Sequence, residues 1–148
     1  MSLVDDIALG KTGLQQLQAM MAGAGPGIGQ TLGFRMIEAE EGAVVFEGTP
    51  GEHAYNPIGT VHGGYAATLL DSACGCAVHS RLSATQAYTT LELKVAYHKA
   101  MTAGTGEVRA EGRVVTIGRR TAFAEARITD ADGRLYASAT STLLVFER

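Results

Sequence analysis

The sequence predicts an α+β fold in which a curved antiparallel sheet of about six strands wraps around one long buried helix. Segment 61–79 is apolar on almost every side, which is typical of a helix that is buried all round. Only alternating strand patterns follow it, and most strands are neighbours in sequence, as in antiparallel sheets. A chain of 148 residues fits one domain over 1–148, with its core at about 30–146.

The first elements are predicted to be a short helix and two strands. Apolar residues recur at helical spacing over about 13–22, and the stretch 23–29, rich in glycine and containing a proline, breaks this helix. Strand patterns over 32–40 and 43–49 are joined at 41–42, where Glu-Gly favours a hairpin turn.

The long helix over 61–79 carries one acidic residue, Asp71, in its middle. Four strand patterns follow, at 89–99, 106–118, 121–133 and 134–147. In the first of them every second residue from Leu91 to Tyr97 is apolar, which predicts one buried face. A helix that is apolar on every side needs more cover than one short sheet supplies, so we expect an oligomer.

Composition excludes several classes of function. A formal charge of −3 argues against a general nucleic-acid-binding protein, which would carry a basic excess. No apolar run approaches the ~20 residues of a bilayer span and no basic leader precedes one, so we expect a cytoplasmic protein. Cys74 and Cys76 lack the partners of a disulfide framework or a zinc site, and the histidines lack metal-ligand spacing, so no metal is expected.

The segment His62-Gly63-Gly64 stands where the long helix should begin. The first amides of a helix have no internal partners and lie at the positive end of its dipole. Without side chains on Gly63 and Gly64, a ligand oxygen can approach those amides closely. Such a site suits a carbonyl that becomes an oxyanion during acyl transfer. The alternative is that the two glycines only permit close packing of the helix on the sheet.

Asp71 lies among leucines and alanines, and a bare charge there is costly to bury. It must therefore be paired, protonated or exposed to a cavity. In a cavity it could serve as a general base or a nucleophile. The alternative is a structural ion pair with an arginine of one of the strands.

One chain cannot readily bring both groups to the same carbonyl. Gly63 and Asp71 are eight residues apart in sequence, which is ~12 Å along a helix, whereas catalytic groups act within ~3 Å. Two antiparallel copies of the helix across a two-fold axis could place Gly63 of one chain beside Asp71 of the other. We therefore expect an active site shared between two subunits.

The motif Asn-x5-His-Gly-Gly-x6-Asp over 56–71, followed by LELKVAYHK at 91–99, resembles the hot-dog-fold acyl-CoA thioesterases. The resemblance covers about residues 30–146. It is strongest to the subgroup similar to the phenylacetic acid degradation thioesterase, within the 4-hydroxybenzoyl-CoA thioesterase superfamily. It implies a hot-dog fold and a thioester hydrolase that needs no cofactor, with coenzyme A as part of the substrate. It also implies a homodimer or homotetramer.

The resemblance also implies a role for each motif residue. Asp71 would activate or supply the nucleophile, and the Gly63 amide would polarise the thioester carbonyl. Asn56 and His62 would help to position water and the thioester from the partner subunit. Thr90 stands about where some relatives carry a hydroxyl that holds the attacking water.

Two further positions bear on substrate binding and on the water. Other relatives carry a hydroxyl one turn after the carboxylate, where this chain has Gly75, so that role is vacant or has moved. The segment 117–121 matches the family's turn near the phosphates of coenzyme A. Its Arg119 and Arg120 suit phosphate because a guanidinium makes bidentate contacts, although an ordinary solvated hairpin tip is the alternative.

The leading hypothesis is hydrolysis of an aryl or medium-chain acyl-CoA, with Asp71 acting either as a base or as a nucleophile. A hot-dog dehydratase is a second hypothesis, which the His-Gly-Gly-x6-Asp spacing disfavours. A third is a non-catalytic module that binds or senses acyl-CoA. The residues ahead of the first strand offer one short helix, too little for a helix-turn-helix.

Overall fold

The structure is a computed structural model that describes residues 9–23 and 27–148. Its α-helices are α1 (Gly13–Met21), α2 (Ile28–Leu32) and α3 (Gly63–His79). Its strands are β1 (Phe34–Glu40), β2 (Ala43–Gly48), β3 (Gln86–Tyr97), β4 (Val108–Ile117), β5 (Thr121–Asp130) and β6 (Leu135–Glu147). Single 3-10 turns lie at Glu52–Ala54 and Ala103–Thr105.

The six strands form one antiparallel sheet in the order β1-β2-β4-β5-β6-β3. α3 contacts all six of them, so the sheet wraps around the helix. This confirms the predicted α+β hot-dog fold. β3 follows α3 in sequence and returns to the far edge, where it pairs only with β6 among the described strands.

α3 is the centre of the core, as its apolar composition predicts. Leu69, Leu70, Ala73 and Cys74 have no exposed surface. Burying a leucine contributes roughly 2 kcal/mol, and these side chains meet the inward residues of the strands. None of the described helices has the length and apolar character needed to cross a membrane.

The start of the first strand was predicted wrongly. Leu32 ends α2, and β1 begins only at Phe34. α2 is bounded by Gly27 and by Gly33, whose φ of 72° gives a left-handed cap that favours glycine. Five residues show too little periodicity to predict a helix. Gly25 and Pro26, part of the predicted helix break, lie outside the described residues.

The predicted alternation along β3 was wrong at Leu91, and the predicted burial was wrong at Tyr97. Leu91 is a bulge residue, since Thr90 pairs with Leu143 whereas Glu92 pairs with Thr142. Leu91 and Tyr97 are each 57% exposed. The extra residue shifts the phase of the strand by one, so both Thr90 and Leu93 face the core side. The bulge thereby aims Thr90 at α3.

Close contact between α3 and the sheet depends on Gly112 of β4. A Cβ at this position would meet the backbone oxygen of Ala73 and lie 2.5 Å from its carbonyl carbon. Backbone atoms in a buried helix cannot move aside cheaply.

We therefore expect Gly112→Ala to lower the free energy of unfolding by about 2 kcal/mol, because overpacking forces the helix from the sheet. Gly104→Ala is the matched control, since its nearest atom would lie at an ordinary 3.6 Å. Denaturant unfolding of both variants measures the difference. Equal midpoints would contradict the role assigned to Gly112.

Candidate active site

His62 caps the N-terminus of α3 and leaves one amide free. Its backbone has φ −59° and ψ 138°, and its Nδ1 accepts a hydrogen bond of 2.8 Å from the Gly64 amide. Its carbonyl accepts from the Tyr65 amide at 2.9 Å. The Gly63 amide has no acceptor among the described residues. Of the two glycine amides considered for a ligand, only that of Gly63 is therefore available.

The capping bond also defines which ring nitrogen of neutral His62 carries the hydrogen. Because Nδ1 accepts, the neutral ring carries its proton on Nε2. The side chain is exposed, so this N–H points away from the cap and is available to a ligand.

Gly63 also packs closely against β3. Its carbonyl accepts a hydrogen bond of 2.7 Å from the Tyr97 hydroxyl, and a Cβ would lie 2.9 Å from that oxygen. Gly63 therefore shows both features that were considered as alternatives. It permits close packing of the helix on the sheet, and its amide has no acceptor among the described residues. Sequence reasoning did not assign a role to Tyr97.

Asn56 organises the loop that leads into α3. Its Oδ1 accepts from the amides of Ile58 (3.1 Å) and Thr60 (3.2 Å), and its Nδ2 donates to Thr60 Oγ1 at 2.9 Å. The next residues are held by backbone bonds from Val61 to Met101 (2.9 Å) and from His62 to Ala54 (2.7 Å). Within one chain, the Asn56 side chain therefore stabilises its own loop through hydrogen bonds.

Asp71 is half-buried, and its carboxylate is engaged on one side only. Thr90 Oγ1 donates to Asp71 Oδ1 at 3.0 Å. In the described part of the chain Oδ2 has no hydrogen-bond partner, and no ion pair includes Asp71. The ion pairs present there are Arg35–Glu47, Arg109–Glu47 and Arg113–Glu125. The alternative of a structural ion pair with a strand arginine is therefore not observed.

Tyr88 fills the space that Gly75 leaves open one turn after Asp71. A Cβ on Gly75 would lie only 2.6 Å from the Tyr88 hydroxyl oxygen. Burial is the main cause that raises the pKa of this phenol, and electrostatic interaction with Cys76 and with Asp71 adds to the rise. Sequence reasoning missed Tyr88, although a glycine in a buried helix signals that a large side chain can lie against it.

Arg119 and Arg120 are exposed at the tip of the β4–β5 hairpin and form no ion pair with the described residues. Thr90 pairs with Leu143, which pairs with Ala122, so Thr90 lies two strand spacings, ~10 Å, from the base of this hairpin. The arginines and the Asp71–Thr90 pair therefore share one end of the sheet.

The N-terminus of α3 lies at the opposite end. An open pocket of about 360 Å³ is found there, lined by His62, Gly63, Tyr97 and Met101 among others, but not by Asp71. Within a single chain, the Gly63 amide and the Asp71 carboxylate, which the motif suggests for one reaction, are therefore far apart.

The cysteines beside Asp71 are poor nucleophiles. Burial first, and then the charge of Asp71, raises the pKa of Cys74 and of Cys76 to about 12, so both stay thiols. The described residues contain no cluster of His, Cys, Asp and Glu that could hold a metal ion.

Comparison with known proteins finds similarity to thioesterases and to a related hydrolase. The model of the family "Thioesterase superfamily" matches residues 58–137. A 1,4-dihydroxy-2-naphthoyl-CoA hydrolase from Listeria monocytogenes is 25% identical over 119 residues, which are 80% of this chain and 95% of that protein.

Two solved structures illustrate the similarity of fold. A thioesterase family protein from Silicibacter pomeroyi superimposes with a TM-score of 0.80 at 28% identity, covering 92% of this chain and 99% of that one. A mutant of the phenylacetic acid degradation protein PaaI from Thermus thermophilus gives a TM-score of 0.71 at 27% identity. The match covers 78% of this chain and 96% of that one.

Proposed function

This chain belongs to the thioesterase superfamily, and we propose that it hydrolyses an acyl-CoA thioester to a free acid and coenzyme A. The observation that carries the proposal is the Asp71 carboxylate. It is half-buried, oriented by Thr90 at 3.0 Å, and unpaired on its second oxygen within the described residues. Such a carboxylate is suited to take a proton from water.

The proposed reaction uses three groups. Water gives a proton to Asp71 and attacks the thioester carbonyl carbon. The developing oxyanion accepts a hydrogen bond from the Gly63 amide at the positive end of α3. The carbon–sulfur bond then breaks, and the coenzyme A thiolate takes the proton from Asp71.

These groups would come from two chains. Tyr97 contacts Gly63 and Thr90 contacts Asp71, so the two sites lie seven residues apart along β3. The outer edge of β3 has no partner among the described strands, and exposed edges readily pair with a second chain. An antiparallel second copy would bring its Gly63 beside Asp71, giving a homodimer with two equivalent sites. A dimer of dimers would repeat this arrangement.

His62 and Asn56 would support the carbonyl end of the site. The Nε2–H of His62 is positioned to donate to the thioester or to water held by the partner chain. Asn56 would act mainly by shaping the loop that presents His62 and Gly63, since its amide is already bonded to that loop.

The acyl group is proposed to be aryl or medium-chain. Similarity to a hydrolase named for an aryl thioester supports the aryl class. A free-thiol assay over a panel of aryl and aliphatic acyl-CoAs tests the proposal directly. Tight binding of coenzyme A with no thiol release from any thioester would point instead to a binding module.

We expect Asp71→Ala to lower kcat by about a hundredfold or more, because a positioned general base contributes ~10²–10⁴. Asp132→Ala, in the exposed β5–β6 turn, is the control and should keep full activity. Unfolding curves establish that both variants are folded. Near-full activity of the Asp71 variant would remove this residue from the mechanism.

The proposed phosphate contacts give a separate prediction. Arg119→Ala with Arg120→Ala should raise KM for acyl-CoA roughly tenfold, since charge-assisted contacts to phosphate are lost. KM for the matching N-acetylcysteamine thioester, which has no phosphate, should not change.

Arg134→Ala removes an arginine from the hairpin at the other end of the sheet and serves as the control. An equal rise in KM for both thioesters, or no rise for acyl-CoA, would exclude a phosphate contact at Arg119 and Arg120.

A further inference from the structure

Tyr88 and Thr90 approach α3 from the same face of β3. They pair with Val145 and Leu143, both of which are buried. Thr90 lies against Asp71, and Tyr88 lies against Gly75, one helical turn further along. Residues four apart on a helix have neighbouring side-chain positions. The Tyr88 hydroxyl is therefore close to the Asp71 carboxylate.

Two polar atoms at this place have no hydrogen-bond partner within residues 9–23 and 27–148. The second oxygen of Asp71 accepts no hydrogen bond from the described residues, and the Tyr88 hydroxyl donates none to them. The phenols of Tyr55, Tyr97 and Tyr136 are all hydrogen-bonded. A hydroxyl donor and a carboxylate oxygen that lie close together are the partners a bound water requires.

The phenol ring is held firmly in this orientation. The His79 ring packs edge-on against it, with centroids 5.8 Å apart. The His79 Nε2 is in turn hydrogen-bonded to the buried Gln16 Oε1 at 2.9 Å, which links it to α1. Any side chain on Gly75 would displace the hydroxyl.

We infer that Tyr88 is a further catalytic residue, whose hydroxyl holds the attacking water against Asp71. The inference rests on the hydrolysis proposed above. The water gives one proton to the second oxygen of Asp71 and accepts a hydrogen bond from Tyr88. Its remaining lone pair forms the bond to the carbonyl carbon, the carbon–sulfur bond breaks, and the proton passes from Asp71 to the thiolate. Tyr88 keeps its own proton throughout.

The protonation state of the phenol agrees with this role. Burial and nearby negative charge raise the pKa of Tyr88 above its ordinary value. The hydroxyl therefore remains a donor over the whole pH range in which a thioesterase is assayed, and no ionisation of Tyr88 should appear in the pH–rate profile.

Tyr88→Phe tests the inference. It should lower kcat roughly tenfold to a hundredfold through misplacement of the water, while KM stays within about twofold. Tyr65→Phe is the matched control, because the Tyr65 hydroxyl is buried against Gly48, away from Asp71, and has no hydrogen-bond partner among the described residues. It should retain full kcat. Full activity of Tyr88→Phe would overturn the inference.

A transfer of the hydroxyl separates catalysis from packing. In Tyr88→Phe with Gly75→Ser, the serine hydroxyl starts from a Cβ within 2.6 Å of the lost phenol oxygen, so kcat should recover by about tenfold. Tyr88→Phe with Gly75→Ala introduces the same crowding without a hydroxyl and should not recover. Equal kcat values for the two double variants would overturn a catalytic role.

A crystal structure provides a readout that is independent of activity. The wild-type protein should show an ordered water within hydrogen-bond distance of both Asp71 and Tyr88, and Tyr88→Phe should lose it. Absence of this water from the wild type would overturn the inference even if thioesters are hydrolysed. If the wild type cleaves no thioester, hydrolysis and the catalytic role of Tyr88 are both refuted. An ordered water between Asp71 and Tyr88 in that case would show that the two residues bind water without catalysing hydrolysis.

Discussion

The packing of α3 along β3 determines where Gly63, Asp71 and Thr90 lie. The two elements run in opposite directions, with Gly63 against Tyr97 at one end and Asp71 against Thr90 further along. The contact is close because glycines on the helix face aromatic rings on the strand. The same packing that buries the helix therefore keeps the free amide and the free carboxylate apart within one chain.

The fold was predictable because its signals are local. A helix apolar on all sides and strands with alternating residues can be recognised without knowing what they contact. Asp71 could be selected for a related reason, since a lone carboxylate in such a helix needs an explanation. Thr90, by contrast, was selected only from resemblance to a family, and its hydrogen bond to Asp71 was not predicted.

The errors and omissions concern long-range contacts and register. The bulge at Leu91 depends on how β3 pairs with β6, and Tyr88 becomes relevant only when it lies against Gly75. The inward hydrogen bonds of Asn56 depend on the conformation of its own loop. The periodicity of the sequence does not reveal these contacts, because each one depends on how segments of the folded chain lie against one another.

Subunit complementation tests whether the active site is built from two chains. Gly63→Pro removes the amide hydrogen at a helix position that accepts proline, with Gly63→Ala as control. A chain with Gly63→Pro and a chain with Asp71→Ala should each be nearly inactive alone. When the two chains are refolded together in equal amounts, about half of the dimers are mixed, and each mixed dimer contains one intact site out of two. The mixture should therefore recover about a quarter of wild-type activity. No recovery, in mixtures shown to contain mixed dimers, would exclude an active site shared between two chains.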